Sequence, residues 1–403
     1  MSGVSGMSTG NAILVVNAGS SSLKFSVFRE RQGGDVAVAI NGQISGIGTE
    51  PKFEAKDTAK RVLADKAWGA GEKSDRTALL SYLLDWIEEH LEGAKLIAAG
   101  HRVVHGGSKY SHPVLLTPDV MAELDALIPL APLHQPHNLA AIRALAEAHP
   151  ELPQVACFDT AFHRGQPWQS QTFALPRAMT EEGIRRYGFH GLSYEYIARR
   201  LPEVAPELAN AHVVVCHLGS GASMCAIKAG KSIDSTMGFT AVDGLPMGTR
   251  TGRLDPGVLI YLMRAKGMGA DELEKLLYNK SGLLGVSGVS NDMRVLLESD
   301  DPRAAEAVEL FCHSVAKETG ALAASMGGLD ALVFTAGIGE RSAPVRARVA
   351  KKLAWLGVHL DPDANDANEA KISAPDSRIP VWVIPTDEER MIAQHTVGVM
   401  EQR

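Results

Sequence analysis

Two stretches of the chain, two hundred positions apart, share one hydropathy pattern. Residues 13–28 and 213–227 each run apolar, then small and hydroxylated, then apolar again. A pattern of this kind around a short polar tip predicts a strand–turn–strand. Backbone N–H groups and hydroxyls at such a tip suit a bound anion, phosphate above all. Read alone, either hairpin is an ordinary tight turn. The pair predicts a duplicated fold whose halves both face one nucleotide, and so points to phosphoryl transfer. The tip from Gly19 to Lys24 is not a P-loop. That motif requires a glycine before its lysine and a helix after it, whereas Leu23 precedes Lys24 and residues 25–28 continue as a strand.

The remaining pattern alternates strands and helices. Residues 36–46 read as a strand, followed by a polar, turn-rich segment. Leu79, Leu80, Leu83, Leu84 and Ile87 carry helical spacing over residues 76–94. Residues 95–104 form a predicted strand that runs into His105-Gly106-Gly107, and the strand at 154–158 ends at Asp159. Open α/β sheets hold their ligands at strand C-termini, which puts Arg102 and Asp159 in sensible places. After the second hairpin come a glycine-dense stretch at 238–257 and helical patterns at 256–266 and 303–326. A buried-type strand at 331–335 ends in Ala336-Gly337-Ile338-Gly339-Glu340. A last strand at 381–384 breaks at Pro385, and a helix at 387–400 is expected to pack back onto the first domain.

A chain of 403 residues is too long for one small core. The expectation is an α/β protein of two lobes, residues 1–158 plus 387–403 and residues 159–386. Apolar content of 45% and charged content of 22% describe an ordinary globular protein. A net charge of −7 without a basic stripe argues against a nucleic-acid surface. No apolar run approaches the roughly 20 residues that span a bilayer, so no membrane is expected. The first ten residues are small, polar and uncharged, unlike a secretion signal, and read as an extension in which Met7 is a possible start. Cys157, Cys216, Cys225 and Cys312 form no C-x-x-C pair and read as buried free thiols of a cytoplasmic protein.

Arg102 and Arg250 each lie in an apolar, glycine-flanked setting, where an unpaired guanidinium is costly and an anion is needed. That anion is either a structural partner or a substrate carboxylate or phosphoryl group, which the guanidinium fork suits. His190 is either a satisfied core histidine or a donor to developing charge. Asp159 and Glu388 follow apolar strands and suit Mg²⁺, which uses few protein ligands. Glu388 at a helix start equally suits the helix dipole. His105, His112, His134 and His137 are scattered among prolines and glycines and show no ligand spacing.

Ten motifs in one order carry a resemblance over residues 13–398. They are Asn-Ala-Gly-Ser-Ser-Ser-Leu-Lys, His-Arg-Val-Val-His-Gly-Gly, Ala-Pro-Leu-His, Phe-Asp-Thr-Ala-Phe-His and Tyr-Gly-Phe-His-Gly, then His-Leu-Gly-Ser-Gly-Ala-Ser, Met-Gly-Thr-Arg, Ser-Asn-Asp-Met-Arg, Thr-Ala-Gly-Ile-Gly-Glu and Pro-Thr-Asp-Glu-Glu. In these the chain resembles the acetokinase family of the sugar kinase/Hsp70/actin superfamily. The resemblance implies a duplicated mixed-sheet nucleotide-binding fold and reversible transfer between ATP and acetate, giving ADP and acetyl phosphate. It also implies Mg²⁺, with Mn²⁺ as an alternative, and a homodimer. By position it assigns Asn17 and Glu388 to the metal, Lys24 to the nucleotide phosphates and Arg102 to the carboxylate. Asp159 becomes the acid/base or metal-positioning group, and His190 and Arg250 the transition-state stabilisers. His217, Leu218, Gly219, Ser220, Gly221, Asp292, Met293, Arg294, Gly337, Ile338, Gly339, Glu340 and Arg341 are assigned to the nucleotide. Val104, Leu133 and Phe189 are assigned to a methyl pocket.

Three positions depart from the family. Ser220 stands where Asn is usual, Ala241 replaces a common proline, and Arg253 occupies a position often acidic or small. The second leaves selectivity among acetate, propionate and butyrate open. A carboxylate is already nucleophilic at neutral pH, so positioning and charge stabilisation are expected to carry the catalysis. A sugar kinase would instead need a carboxylate to deprotonate an alcohol, and would have little use for Arg102. A nucleotide switch of the Hsp70 kind would need a peptide-binding module, for which the chain leaves no residues.

Overall fold

The apolar runs become strands buried on both faces, which is why they lack strict alternation. The structure is a computed structural model that describes residues 10–19, 21–31, 35–69, 72 and 74–402. Residues 1–9 of the expected N-terminal extension, Met7 among them, and Ser20 of the first tip lie outside the described residues. The chain divides into two compact units, Met1–Ala161 with Asp387–Arg403, and Phe162–Thr386. Asp159 therefore falls in the same unit as Arg102.

The first unit holds β1 (Asn11–Ala18), β2 (Leu23–Glu30), β3 (Val36–Ser45), β4 (Lys52–Asp57), β5 (Val62–Ala67), β6 (Lys95–Val103), β7 (Val114–Leu115) and β8 (Gln154–Phe158). They form one sheet in the order β5-β4-β3-β2-β1-β6-β8-β7. β1 pairs antiparallel with β2, in a register that sets Asn17 opposite Lys24, and parallel with β6. Strands β4 and β5 come from the segment read as turn-rich. Phe53 and Ala55 point into the core while Lys52, Glu54 and Lys56 stay outside it, a two-residue alternation masked by lysines and acids. Helices Arg76–His90 and Gln135–Ala148 contribute to one core, where Leu79, Leu83, Leu145, Phe25, Phe53 and Trp86 join Leu14 and Val16 of β1. The C-terminal helix Glu388–Glu401 packs against β6 at Gly100, where a Cβ would collide with Thr396 Oγ1 and Ile392 Cγ2.

The second unit holds β9 (His212–Leu218), β10 (Ala222–Lys228), β11 (Lys231–Ser235), β12 (Ala331–Thr335) and β13 (Val381–Val383), in the order β11-β10-β9-β12-β13. β9 again pairs antiparallel with its hairpin partner and parallel with a crossover strand. The order β11-β10-β9-β12-β13 thus repeats β3-β2-β1-β6-β8 of the first unit, and the fold is a duplicated mixed α/β fold with two mixed sheets. Tyr194, Ile197 and Leu201 of helix Gly191–Val204 pack on Val213, Val215 and Val333. Between Ser235 and Pro256 the glycine-dense stretch forms neither helix nor strand.

Each unit buries a neutral histidine. His101 on β6 accepts from the Gln154 amide at 2.7 Å, in the amide orientation that also satisfies Ile142 and Ala146. His163 bridges Ser232 Oγ through Nδ1 and the Phe189 carbonyl through Nε2, both at 2.9 Å. Burial holds both rings at about 4, against an ordinary 6.5, and at His163 the bond to the Phe189 carbonyl opposes part of that fall. The unfolded chain takes protons that the folded one refuses, so this stability is complete above pH 6.5 and is lost as pH falls toward 4. The full effect is about 3 kcal/mol for each ring. Urea midpoints followed by tryptophan fluorescence should fall over that window. His101→Gln and His163→Gln should each flatten the slope, and a slope unaltered in both would remove these rings as its source.

Candidate functional site

In the first unit, the ends of β6 and β8 bring Arg102 and Asp159 together. Arg102 Nε donates to Asp159 Oδ1 at 3.0 Å and Oδ2 at 3.1 Å, and Nη2 donates to Oδ2 at 2.6 Å. The carboxylate is buried, while the guanidinium keeps part of its surface. Burial works against the Arg102 charge, but the carboxylates of Asp159 and Glu388 outweigh it and hold the proton more tightly than usual. Glu388, at the first turn of the C-terminal helix, therefore acts on the same guanidinium as Asp159.

Around this pair the chain is held by amides that no sequence pattern singled out. Asn138 Oδ1 accepts from Val104 N at 3.1 Å, and its Nδ2 donates to Ala18 O at 2.9 Å, tying the end of β6 to the end of β1. Gln135 accepts from His105 N and donates to its carbonyl, both at 3.1 Å. Val104 is buried and Leu133 exposed in this unit, while Phe189 is buried in the other. Lys24 is exposed at the start of β2 and lines a cavity of about 350 Å³ with Ser26, Asn41 and Glu389. Ser26 Oγ donates to Glu389 at 2.5 Å, and burial raises this carboxyl above its usual range despite that bond.

Asn17, Asp159 and Glu388 offer only oxygen donors, and among the described residues no group of three or more His, Cys, Asp or Glu could cage an ion. Oxygen donors of this kind suit a hard cation such as Mg²⁺.

In the second unit, three candidates meet at the β9–β10 tip. His190 has φ of 56°, a left-handed conformation uncommon away from glycine and of the kind that collects at functional sites. Its ring stacks on His217 with centroids 4.2 Å apart and planes 16° from parallel. His190 Nδ1 bonds Ser223 Oγ at 2.8 Å, and His217 Nδ1 bonds Ser193 Oγ at 2.8 Å. A Cβ on Gly221 would lie 3.4 Å from His190 Nε2 and 3.9 Å from Arg250 Nη1. The space above this glycine is thus flanked by both side-chain nitrogens. Arg250 Nη1 also donates to the Ala241 carbonyl at 3.1 Å, so Ala241 aims the guanidinium through its backbone.

Beside the tip opens a cavity of about 610 Å³. Gly219, Ser220, Asp292, Met293, Arg294, Gly337, Ile338 and Arg341 line it, joined by Leu297, Glu298, Ser342 and Pro344. Asp292 caps helix Met293–Glu298 through Arg294 N and pairs with the Arg294 guanidinium, whose hydrogen bonds pull the carboxyl down to about 2. Other residues assigned to the nucleotide lie elsewhere. Leu218 is core, Glu340 accepts from Thr386 N at 3.1 Å, and the Gly339 carbonyl is held by Arg346 at 2.9 Å. Arg346 is fully buried and also donates to Asn365 and Asn368, a support that no local motif announces. Arg253 pairs with Glu318 at 3.0 Å, giving a buried carboxylate on helix Pro302–Met326 its counter-charge. That accounts for the departure at Arg253.

The sequence profile of the acetokinase family matches residues 12–394. An acetate kinase of Nitrobacter hamburgensis is 54% identical over 393 residues, covering 98% of this chain and 97% of that one. The structure of a propionate kinase from Francisella tularensis aligns with a TM-score of 0.89 at 38% identity, over 96% of this chain and 100% of that one. The acetate kinase structure from Porphyromonas gingivalis aligns with a TM-score of 0.86 at 37% identity, over 97% and 100%. This chain is a member of the acetokinase family.

Proposed function

We propose that this protein transfers a phosphoryl group reversibly between ATP and acetate, giving ADP and acetyl phosphate. The observation that carries the reading is the tip at Gly221, where His190 Nε2 and Arg250 Nη1 flank one space at the edge of a nucleotide-sized cavity. Gly219 and Ser220 of the same tip line that cavity. Two donors flanking one space suit the charge spread over the equatorial oxygens of a transferring phosphoryl group.

The carboxylate acceptor needs no base, so the residues act by position and charge. The adenosine lies in the cavity, along Gly337, Ile338 and Met293. Arg102, positioned by Asp159, holds the acetate carboxylate through its free edge. Asn17 and Glu388 would hold Mg²⁺, which when bound neutralises polyphosphate charge. Asp159 spends its oxygens on Arg102, which favours an organising role over general-base work.

The reading includes a second copy of the chain. Helix Pro256–Lys266 buries none of its residues and exposes Val258, Ile260, Tyr261 and Met263, the last three by half or more. An apolar face of this kind marks an association surface, and a two-fold pair would cover both copies alike. Light scattering should give a dimer for the parent and a monomer for Tyr261→Asp with Met263→Asp. A parent monomer at micromolar concentration would remove this part.

The reaction is tested by trapping acyl phosphate with hydroxylamine after incubation with ATP, Mg²⁺ and acetate, propionate or butyrate. Acetate should be preferred, propionate accepted and butyrate poor, since one methylene is worth about 10–200-fold. A parent that prefers propionate would overturn the substrate. Ala241→Pro keeps the carbonyl that aims Arg250, so a wider acetate preference would place residue 241 at the acyl group.

Arg102→Ala and Arg250→Ala should each lose several kcal/mol of transition-state stabilisation. Arg102→Ala also strands the buried Asp159 carboxylate, so its folding must be checked by denaturation beside its kinetics. His190→Ala should lower kcat by roughly 10²–10³ with acetate KM little changed. Near-normal turnover in a folded variant would cancel that residue's role. Gly221→Ala is the sharpest probe, because its methyl makes only ordinary contacts yet occupies the space flanked by both donors. It should melt like the parent and lose on the order of 10²-fold in kcat. A fully active Gly221→Ala would move the reaction away from this tip.

A further inference from the structure

Ser223 and Tyr194 have no part in the reaction as described so far, yet they stand directly behind its imidazole. Tyr194 OH lies 2.5 Å from Ser223 Oγ, which lies 2.8 Å from His190 Nδ1. Both side chains are buried, with 0% and 1% of their residues' surface exposed. We propose that Ser223 and Tyr194 are positioning residues that hold the His190 ring in the tautomer carrying its proton on Nε2. The inference rests on the function proposed above and adds to it the means by which His190 becomes a donor.

A neutral imidazole has one N–H, and the hydrogen bond made by one nitrogen decides which of the two carries it. A phenol is a stronger acid than an aliphatic alcohol, so the Tyr194 hydroxyl donates to Ser223 Oγ. The Ser223 hydroxyl then donates to His190 Nδ1, and each hydroxyl donates once in the same direction. Bonds aligned in this way polarise and strengthen one another. With Nδ1 an acceptor, the ring proton sits on Nε2, the nitrogen that faces the space above Gly221 beside Arg250.

Two further contacts keep the ring in place. The His217 imidazole fixes the plane of the ring by stacking, and the Ser223 bond fixes its rotation within that plane. The left-handed backbone at His190 departs from the ordinary path of the chain at the residue whose side chain must be aimed. A ring flipped by half a turn would present carbon to Ser223 and lose the bond.

The test uses the full chain labelled with ¹⁵N-histidine, with the His190 signals assigned by their absence in His190→Gln. In the parent, Nδ1 should show the unprotonated nitrogen shift and Nε2 the protonated one. Ser223→Ala should mix the two tautomers and lower kcat roughly 10- to 100-fold, less than loss of the imidazole itself, with KM for acetate and ATP unchanged. Tyr194→Phe removes one oxygen and should shift the same populations with a smaller loss of kcat; it decides alone if Ser223→Ala does not fold. A parent proton on Nδ1, or tautomer populations unchanged in both variants, would overturn the inference. A parent that forms no acyl hydroxamate with any carboxylate would sink the proposed reaction, while the nitrogen spectra would still decide the relay.

Discussion

Everything in each unit hangs on one strand that is buried on both faces and hydrogen-bonded on both edges. β1 and β9 hold that place, with a hairpin partner antiparallel on one side and a crossover strand parallel on the other. Such a strand cannot carry polar side chains along its length, so the polar chemistry is displaced to its C-terminal end. There the turn must be short and its residues small. In the second unit the register sets Thr335 beside His217, so β12 ends where the β9 strand turns. The chain then leaves through Ala336, whose φ of 62° is left-handed, into Gly337 and Ile338, which line the cavity. The cavity is thus a consequence of strand order.

Buried charge is the second constraint, and it is met differently at each arginine. Arg102 binds a buried aspartate in three hydrogen bonds and stays fully charged. Arg253 at 3.0 Å, with Lys317 at 3.7 Å, neutralises Glu318, a carboxylate buried on helix Pro302–Met326. Arg346 instead binds carbonyls and amides, and its charge is disfavoured by burial. A guanidinium with neutral partners beneath the short helix Ala336–Arg341 braces it by geometry. Of the three, Arg102 lies at a strand end with a second carboxylate acting on it.

The legible part of the fold was the part written in local pattern. β1, β2, β9, β10 and β12 could be read because apolar runs bounded by small residues admit few other structures. β4 and β5 could not, since their alternation is diluted by exposed lysines and acids at the sheet edge. The short helix Ala336–Arg341 shows no helical pattern in the sequence, because Gly337 and Gly339 interrupt so short a segment. In the site, motif positions led to Arg102, His190, Arg250 and most of the cavity lining. Asn138, Ser223, Tyr194 and Arg346 escaped, since each acts through a partner distant in the chain and nothing local marks that partner.

A carboxylate acceptor explains why the site has the character it has. An enzyme that must deprotonate its nucleophile needs a base poised near neutrality, and such a base needs a cavity that shifts its titration. Here the buried Asp159 at a strand end is locked by a guanidinium, which makes it a poor base and a good scaffold. In the proposed reaction what remains is the supply of donors, and donors must be oriented more than tuned. The hydroxyls of Ser193, Ser223, Tyr194 and Thr386 do this behind two stacked rings, without adding net charge. A carboxylate in their place would orient the rings equally well, but its negative charge would oppose the phosphoryl oxygens that the site must attract. Neutral hydroxyls are therefore the polar groups that can aim an imidazole here without weakening what it is aimed at.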